Sequence, residues 1–235
     1  MFFKKTPKTE NNAEQNDTSD DSRDEIQNRQ IAIEEIKYLR NYLRAKHVQF
    51  YGELIDTIEF GDFTYGLPFL DYIDYSDIKV KIGRFCSIAK DVVIMMGGEH
   101  HSEWLSTYPF SQRLKNFEDL PDGKKVAKGN VTIGNDVWLA GGVKILSGVS
   151  IGDGCVVGAN SLVTKDLPEY TICGGVPAKV IRKRFSDEIT AQLKKLQWWN
   201  WREEDLCGAI PILQTNDIEK LIAYSQRNNC ICESD

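Results

Sequence analysis

The sequence predicts a mainly β protein built as a parallel β-helix, and two observations support this prediction. Aliphatic residues recur every six positions in the central part of the chain, at Ile133, Leu139, Ile145, Ile151, Val157 and Val163. Glycine is concentrated in the same segment, since ten of the 18 glycines lie between Gly129 and Gly175 and none lies in residues 1–51. A hexapeptide period is a sequence signature of a parallel β-helix, in which each unit supplies one short strand and one turn.

The six-residue spacing has a physical cause. When three such faces close a triangular coil, the narrow interior admits one aliphatic side chain at each corner and only small residues beside it. Glycine, asparagine and aspartate serve the turns, where a positive φ is often required. The same phase occurs earlier at Ile82, Ile88 and Ile94, so we expect the solenoid to run from about residue 55 to about residue 172.

The repeat has one long interruption. Residues 95–128 do not follow the period, and we predict that they leave the solenoid as a loop excursion. Loops of this length inside a compact domain are usually functional. We therefore predict a β-helix domain over residues 51–185 that carries its functional groups on this excursion.

The flanking segments are predicted to form a tail and helices. Residues 1–23 are polar with almost nothing to bury, so we expect a disordered tail. Residues 24–50 are predicted to form a helical extension, whose apolar stripe is Ala32, Ile36, Leu39 and Leu43. Residues 186–235 are predicted to hold C-terminal helices and a tail, with Ser186 as the first N-cap.

Composition excludes several classes of protein. A formal net charge of −6 argues against a nucleic-acid partner, because such proteins carry a basic surplus. No apolar run approaches the ~18 residues that span a bilayer, and the N-terminal residues lack the apolar region of a signal peptide. We therefore expect a cytoplasmic protein without a membrane span.

The six cysteines do not form the paired CxxC spacing of a zinc site, so we predict no metal. Cys86 and Cys155 occupy the small interior position of the repeat, which favours core filling over a role as nucleophile. For Cys173, just before two glycines, core filling and a role as nucleophile both stay open. Cys230 and Cys232 lie in the polar tail, where they could oxidise.

Histidine is the natural base at neutral pH, and the chain has three histidines. His47 lies at the end of the predicted first helix, where we expect an exposed side chain. His100 and His101 lie together inside the excursion, which makes them the candidates for catalysis.

Several motifs resemble one family. The excursion begins with Gly97-Gly98-Glu99-His100-His101-Ser102-Glu103-Trp104-Leu105-Ser106-Thr107-Tyr108-Pro109-Phe110. Four more segments match in order: Thr64-Tyr65-Gly66, Ile133-Gly134-Asn135-Asp136-Val137-Trp138, Gly174-Gly175-Val176-Pro177-Ala178-Lys179 and Trp198-Trp199-Asn200-Trp201. Over residues 50–213 the chain resembles the hexapeptide xenobiotic acetyltransferases, which include type-B chloramphenicol and streptogramin acetyltransferases.

The resemblance implies a left-handed coil and a homotrimer in which acetyl-CoA lies between neighbouring subunits. It places the family's catalytic histidine on His100, with His101 as the fallback. Relatives often have Asn before this histidine, and this chain has Glu99. If the Glu99 carboxylate touches the imidazole, it would favour the protonated ring.

The resemblance also implies two sets of binding residues. Contacts to acetyl-CoA are expected from Trp138, Gly158, Ala159, Lys165, Pro177 and Arg182. Its phosphates would meet a basic cluster of Lys165, Lys179, Arg182, Lys183 and Arg184. Contacts to the acceptor are expected from Tyr65, Tyr72, Trp104 and Tyr108.

The expected function is therefore acetyl transfer from acetyl-CoA to a hydroxyl of a small molecule such as an antibiotic, with a histidine as general base. Two alternatives stay open. One is a saccharide or surface-polysaccharide O-acetyltransferase, which the N-terminal extension favours. The other is a non-catalytic trimeric β-helix that binds a partner and does not depend on His100.

Overall fold

The computed structural model describes residues 18–71, 78–121 and 127–230. Its five α-helices within these ranges are α1 (Thr18–Tyr51), α2 (Phe110–Arg113), α3 (Asp187–Leu196), α4 (Glu203–Leu213) and α5 (Ile218–Asn228). Short 3-10 helices cover Gly52–Asp56, Lys115–Phe117 and Trp198–Asn200. Helix α1 begins at Thr18, before the predicted start at residue 24, and residues 1–17 of the predicted tail lie outside the described residues.

The centre of the chain consists of short strands. They are β1 (Ile58–Phe60), β2 (Phe69–Asp71), β3 (Val80–Ile82), β4 (Ser87–Ile88), β5 (Val93–Met95), β6 (Val131–Ile133), β7 (Trp138–Leu139), β8 (Lys144–Leu146), β9 (Ser150–Ile151), β10 (Val156–Val157), β11 (Leu162–Val163), β12 (Thr171–Gly174) and β13 (Lys179–Lys183).

These strands form three sheets that the chain visits in turn. Sheet A has the order β1-β3-β6-β9, sheet B the order β13-β12-β10-β7-β4, and sheet C the order β11-β8-β5-β2. All pairs are parallel except the final hairpin, β12 with β13. Since each coil contributes one strand or bridge to each sheet, the domain is a three-sided parallel solenoid, and the predicted architecture is confirmed at this level.

The six-residue period fills the interior of this solenoid. Every aliphatic residue of the repeat from Ile82 to Val163 is at most 3% exposed. The small positions between them are buried as well, including Cys86, Val137 and Cys155. The register explains this regularity, because Ile82 pairs with Ile133, which pairs with Ile151 in the next coil. Identical positions thus stack through the length of the core.

The excursion lies where the sequence predicts it. The chain leaves the solenoid after β5 and returns at β6, so the interruption extends from residue 96 to residue 130. Helix α2 and one 3-10 helix are its regular elements in the part that the structure describes. Two backbone bonds hold its ends: Met96 N donates to Asp71 O at 2.9 Å, and Gly148 N donates to Gly129 O at 2.8 Å.

The C-terminal helices pack against the corner between sheets A and B. Ser186 caps α3 as predicted, with its hydroxyl accepting from Ile189 N at 3.4 Å. Trp199 and Trp201 are almost fully buried in a second core together with Leu193, Leu206 and Leu221. The aromatic cluster after α3 therefore serves packing.

Helix α1 docks through a face that overlaps the predicted stripe. Ile33 is buried and three residues of the stripe, Ala32, Ile36 and Leu43, are part-buried, whereas Leu39 is 48% exposed. Ion pairs fix this orientation, because Arg40 pairs with the buried Glu203 of α4 and Arg44 binds Asp62 through two nitrogens at 2.5 and 2.8 Å. Ion pairs with residues on distant elements thus determine which face of α1 packs against the domain.

The expectation of an exposed His47 is wrong. Its side chain is buried, and its ring stacks on Phe60 with 3.8 Å between ring centroids. Tyr51, one helical turn later, is also buried and donates its hydroxyl proton to Pro68 O at 2.5 Å. The end of α1 therefore closes the first coil of the solenoid, which is why an imidazole at this helix end is covered.

Candidate active site

His100 lies on the exposed part of the excursion, where its side chain has a defined orientation. Its Nδ1 lies 2.7 Å from the carbonyl oxygen of Thr107. A carbonyl oxygen can only accept, so Nδ1 carries a hydrogen, and in the neutral ring the lone pair is then on Nε2. The backbone of the excursion thus prepares His100 to accept a proton through Nε2.

His101 has a different environment. Its Nδ1 lies 2.6 Å from Oε1 of Glu103, and its ring stacks on Trp104 at 4.1 Å between centroids with an angle of 5° between planes. The carboxylate and the indole hold this imidazole in place. The two neighbouring histidines therefore have separate partners, one a backbone carbonyl and the other a charged side chain.

Glu99 forms an ion pair at the base of the excursion. Its Oε1 lies 3.5 Å from Nζ of Lys128, which belongs to the returning segment. Lys128 is itself tied to the solenoid, because its backbone N donates to Ser147 Oγ at 3.1 Å. The residue before His100 thus links the outgoing and returning ends of the excursion.

The excursion also lines an open cavity of about 540 Å³, next to which His101 is held by Glu103 and Trp104 of the cavity wall. Its walls include Trp104 and Tyr108 of the predicted acceptor residues, together with Leu105, Phe110 and Leu120, which the sequence analysis did not select. Their apolar character in a segment that breaks the repeat is the signal that could have identified them. Carboxylate Glu103 lies at the same cavity.

The remaining acceptor residues lie elsewhere. Tyr65 is half-exposed on the first coil, where it forms a β-bridge with Ser87 beside sheet B. Among the described residues, it is not part of the lining of the excursion cavity. Tyr72 lies outside the described residues. The structure therefore brings together two of the four predicted acceptor residues.

Several predicted cofactor residues share the outer face of sheet B. Trp138 pairs with Val156, Val156 with Ile172, and Ile172 with Arg182. Three strand spacings separate Trp138 from Arg182, which is roughly 14 Å. Both side chains are exposed, with Trp138 at 53%. Sheet B thus presents a tryptophan and a guanidinium in one row.

Gly158, Ala159 and Pro177 lie toward the corner between sheets B and C. Gly158 follows β10, and its N donates to Cys173 O at 2.8 Å. A Cβ at this position would meet its nearest atom, Cys173 O, at 3.4 Å, an ordinary contact, so the fold does not require glycine here. Pro177 lies in the turn between β12 and β13 and follows a cis peptide bond.

The predicted basic cluster is divided by the structure. Lys165 follows β11 at the next corner, between sheets C and A. Arg184 turns away from Arg182 and donates from Nη1 to Gly154 O at 2.6 Å and Asp136 Oδ2 at 3.2 Å. Lys183 pairs with Asp187 at 2.5 Å. Alternation along β13 turns Lys183 away from the face of Arg182, whereas Arg184 lies beyond the end of β13 and is directed by its bonds to Gly154 and Asp136.

The buried cysteines are unsuited to catalysis. Burial raises the pKa of the Cys86 thiol to about 12, and burial likewise raises the pKa of Cys155 to about 12. A thiol is a nucleophile only as the thiolate. Cys173 is also buried, within hydrogen-bond distance of Thr171. The prediction that Cys86 and Cys155 fill the core is confirmed.

Comparison with known proteins agrees with this fold. The family described as bacterial transferase hexapeptide (six repeats) matches residues 130–165. A chloramphenicol acetyltransferase of Agrobacterium fabrum is 41% identical over 150 residues, which is 62% of this chain and 71% of the relative. A probable macrolide acetyltransferase of Lysinibacillus sphaericus is 42% identical over 160 residues, covering 64% of this chain and 86% of the relative. A virginiamycin A acetyltransferase of Staphylococcus aureus is 37% identical over 150 residues, covering 61% and 66%.

The solenoid and these matches define a transferase of the hexapeptide-repeat class. The chain belongs to the hexapeptide-repeat xenobiotic acetyltransferase family, and it is an acetyltransferase. Among the helices of the described ranges, none is both long and apolar enough to cross a membrane.

Proposed function

We propose that the protein transfers the acetyl group of acetyl-CoA to a hydroxyl of a small xenobiotic acceptor, with His100 as general base. The observation that carries this proposal is the bond between His100 Nδ1 and Thr107 O at 2.7 Å, which leaves Nε2 basic. A hydroxyl is too weakly acidic to attack a thioester without a base. His101 is the second candidate, since Glu103 orients it in a similar way.

The chemistry needs one proton to move twice. His100 accepts the acceptor's hydroxyl proton on Nε2 while the oxygen forms its bond to the acetyl carbonyl carbon. The carbon–sulfur bond then breaks, and His100 gives the proton to the leaving sulfur. Acetyl-CoA supplies the activated acetyl group, and no electron is gained or lost in the exchange.

The outer face of sheet B fits a coenzyme A chain. Gly158 could carry a side chain without strain in the fold, so its glycine suits the close approach of an extended ligand. Trp138 offers an exposed aromatic face, and Arg182 a cation for phosphate. Trp138, Gly158, Ala159, Pro177 and Arg182 would hold the ligand along this side.

Lys165 supports a trimer. It lies at the corner between sheets C and A, away from the other predicted cofactor residues. One ligand can meet both corners if it lies in a groove between neighbouring solenoids. A closed threefold ring of left-handed coils, as in the resemblance, provides such a groove. The exposed apolar residues of the excursion would then contact the neighbouring subunit.

The test is thiol release from acetyl-CoA with chloramphenicol and streptogramin A as acceptors. We expect turnover by the wild type and a loss of about 10²–10⁴-fold in kcat/KM for His100→Ala. The matched control is His101→Ala, which should retain most of the activity and the same melting temperature. A larger loss in His101→Ala than in His100→Ala would contradict the assignment of the base.

The same assay separates the alternatives. Oligosaccharides belong in the acceptor panel, because a putative lipopolysaccharide biosynthesis O-acetyl transferase of Escherichia coli is 40% identical over 48% of this chain. Turnover with saccharides alone would replace the xenobiotic proposal. Failure of every acceptor, with acetyl-CoA still bound in calorimetry, would favour the non-catalytic alternative.

A further inference from the structure

The corner between sheets A and B carries a row of side chains that changes character along its length. One residue with positive φ occupies this corner in each successive coil, namely Phe63, Phe85, Asp136, Gly154 and Tyr170. The first two rings stack at 4.5 Å between centroids. Gly154 adds no side chain, and the ring of Tyr170 occupies the space that a Cβ there would need, at 2.5 Å. The row is therefore aromatic at both ends, with the carboxylate of Asp136 between them.

The C-terminal helices cover this row and leave a space between themselves and its Asp136 and Tyr170 positions. Trp198 contacts Phe85 at 5.0 Å and Phe185 contacts Tyr170 at 6.0 Å, both between ring centroids. Between these two contacts lies a cavity of about 190 Å³. Its apolar walls come from α3, the end of α4 and α5, and they include Ile189, Leu193, Ile212, Ile218 and Leu221.

The polar side of the cavity is held by Asp136 and Arg184. Burial raises the pKa of Asp136, and the neighbouring Arg184 guanidinium opposes that rise. Within the described ranges the hydrogen bonds of this guanidinium leave from Nη1, so Nε and Nη2 are available as donors. Tyr170 also lines the cavity, and its hydroxyl is buried without a hydrogen-bond partner among the described residues.

These features set the chemistry of an occupant. The carboxylate and the guanidinium compensate each other, so the cavity favours a neutral molecule. The aromatic ends and aliphatic walls favour a ring, and an apolar cavity of about 150 Å³ is enough for benzene. The spare donors of Arg184 call for one hydrogen-bond acceptor on that ring. A carboxylate would lose more hydration than a neutral amide on entering these apolar walls, and it would meet the like charge of Asp136 beside the guanidinium.

We infer that this cavity is a second binding site, separate from the transfer site, for a small neutral aromatic molecule with one amide or hydroxyl group. The ring would lie between Trp198 and Tyr170, which both line the cavity. Its polar group would accept from Arg184. Binding there would join the C-terminal helices more firmly to the solenoid, because the ligand contacts both.

The probe is benzamide, with its anionic analogue benzoate as a comparison. Thermal denaturation and titration calorimetry of the full chain should show saturable binding of benzamide and a rise in melting temperature with its concentration. Benzoate should bind at least about tenfold more weakly, equivalent to 1.4 kcal/mol. Absence of saturable binding of benzamide to the wild type would overturn the inference.

Two variants locate the probe. Asn216 is an exposed residue of the cavity lining, so Asn216→Trp should obstruct the site while leaving the core unchanged, and benzamide binding should be lost. Arg184→Lys keeps the positive charge beside Asp136 but removes the spare donors, and it should weaken binding about tenfold. Trp138→Ala, on the outer face of sheet B, should bind benzamide as the wild type does. Equal affinity in all three variants would place the probe elsewhere and refute the proposed site.

Discussion

The solenoid and its excursion obey opposite packing rules. In the solenoid the aliphatic residues of the repeat are buried to within a few per cent, as at Ile145, and the strands pair in register through three sheets. In the excursion the large apolar side chains are exposed: Trp104, Leu105, Tyr108, Phe110, Leu114, Phe117 and Leu120. The solenoid buries its apolar residues within one chain, and the excursion leaves its own exposed.

This contrast separates stability from function. The repeat supplies a rigid frame because each coil is bonded to the next along its whole length. The excursion uses that frame only at its two ends, which leaves its own surface for other molecules. The candidate catalytic groups lie on the excursion, as expected for loops on a rigid scaffold.

The largest difference between the regions should appear in the free energy of unfolding. Ile145 is fully buried, so Ile145→Ala should lower this free energy by about 2–5 kcal/mol through lost burial and a cavity. Leu105 is fully exposed, and Leu105→Ala should change it by no more than about 0.5 kcal/mol in the isolated chain. Urea denaturation measures both, and equal losses would show that the excursion is packed like the core.

The same contrast explains which parts of the fold the sequence predicts correctly. Ile133 pairs with Ile151, 18 positions later, so the environment of a repeat residue is set by residues of the same pattern. Helix α1 lacks that advantage. Its docked side depends on Arg40 meeting Glu203, 163 positions away, and periodicity within the helix wrongly favoured Leu39.

The site was predictable to a similar extent. The break in the repeat located His100 and His101, and the motif placed Trp104 and Tyr108 beside them. The sequence could not show which partner each histidine has, because a turn of the excursion brings the Thr107 carbonyl to His100. The sequence also could not show that Arg184 lines the cavity under the C-terminal helices, because this depends on how these helices pack over Asp136.

Tryptophan offers a matched pair across the two regions. Trp104 lines the excursion cavity and stacks on His101, so Trp104→Ala should raise the acceptor KM about tenfold, or 1.4 kcal/mol, with little change in melting temperature. Trp199 is buried in the C-terminal core, and Trp199→Ala should cost about 3–5 kcal/mol of stability with the acceptor KM unchanged in the folded fraction. Steady-state kinetics with calorimetry would distinguish them; a destabilised Trp104→Ala would remove the contrast.

The smallest expected effect is on the pH dependence of the free energy of unfolding, and it concerns His47, the histidine that packs on the first coil of the solenoid. Burial lowers its pKa from 6.5, and a hydrogen bond to the Gly66 backbone partly opposes this change. The unfolded chain therefore binds a proton below pH 6.5 while the folded chain stays neutral, so this contribution to stability is present above pH 6.5 and declines as the pH falls toward the lowered value. His47→Phe keeps an aromatic ring on Phe60 and removes the proton, so urea denaturation between pH 7 and pH 5 should show a flatter profile than in the wild type. His100→Ala is the control for the removal of a histidine that lies outside the frame. A slope that persists in His47→Phe would mean that other groups set the pH dependence of the frame.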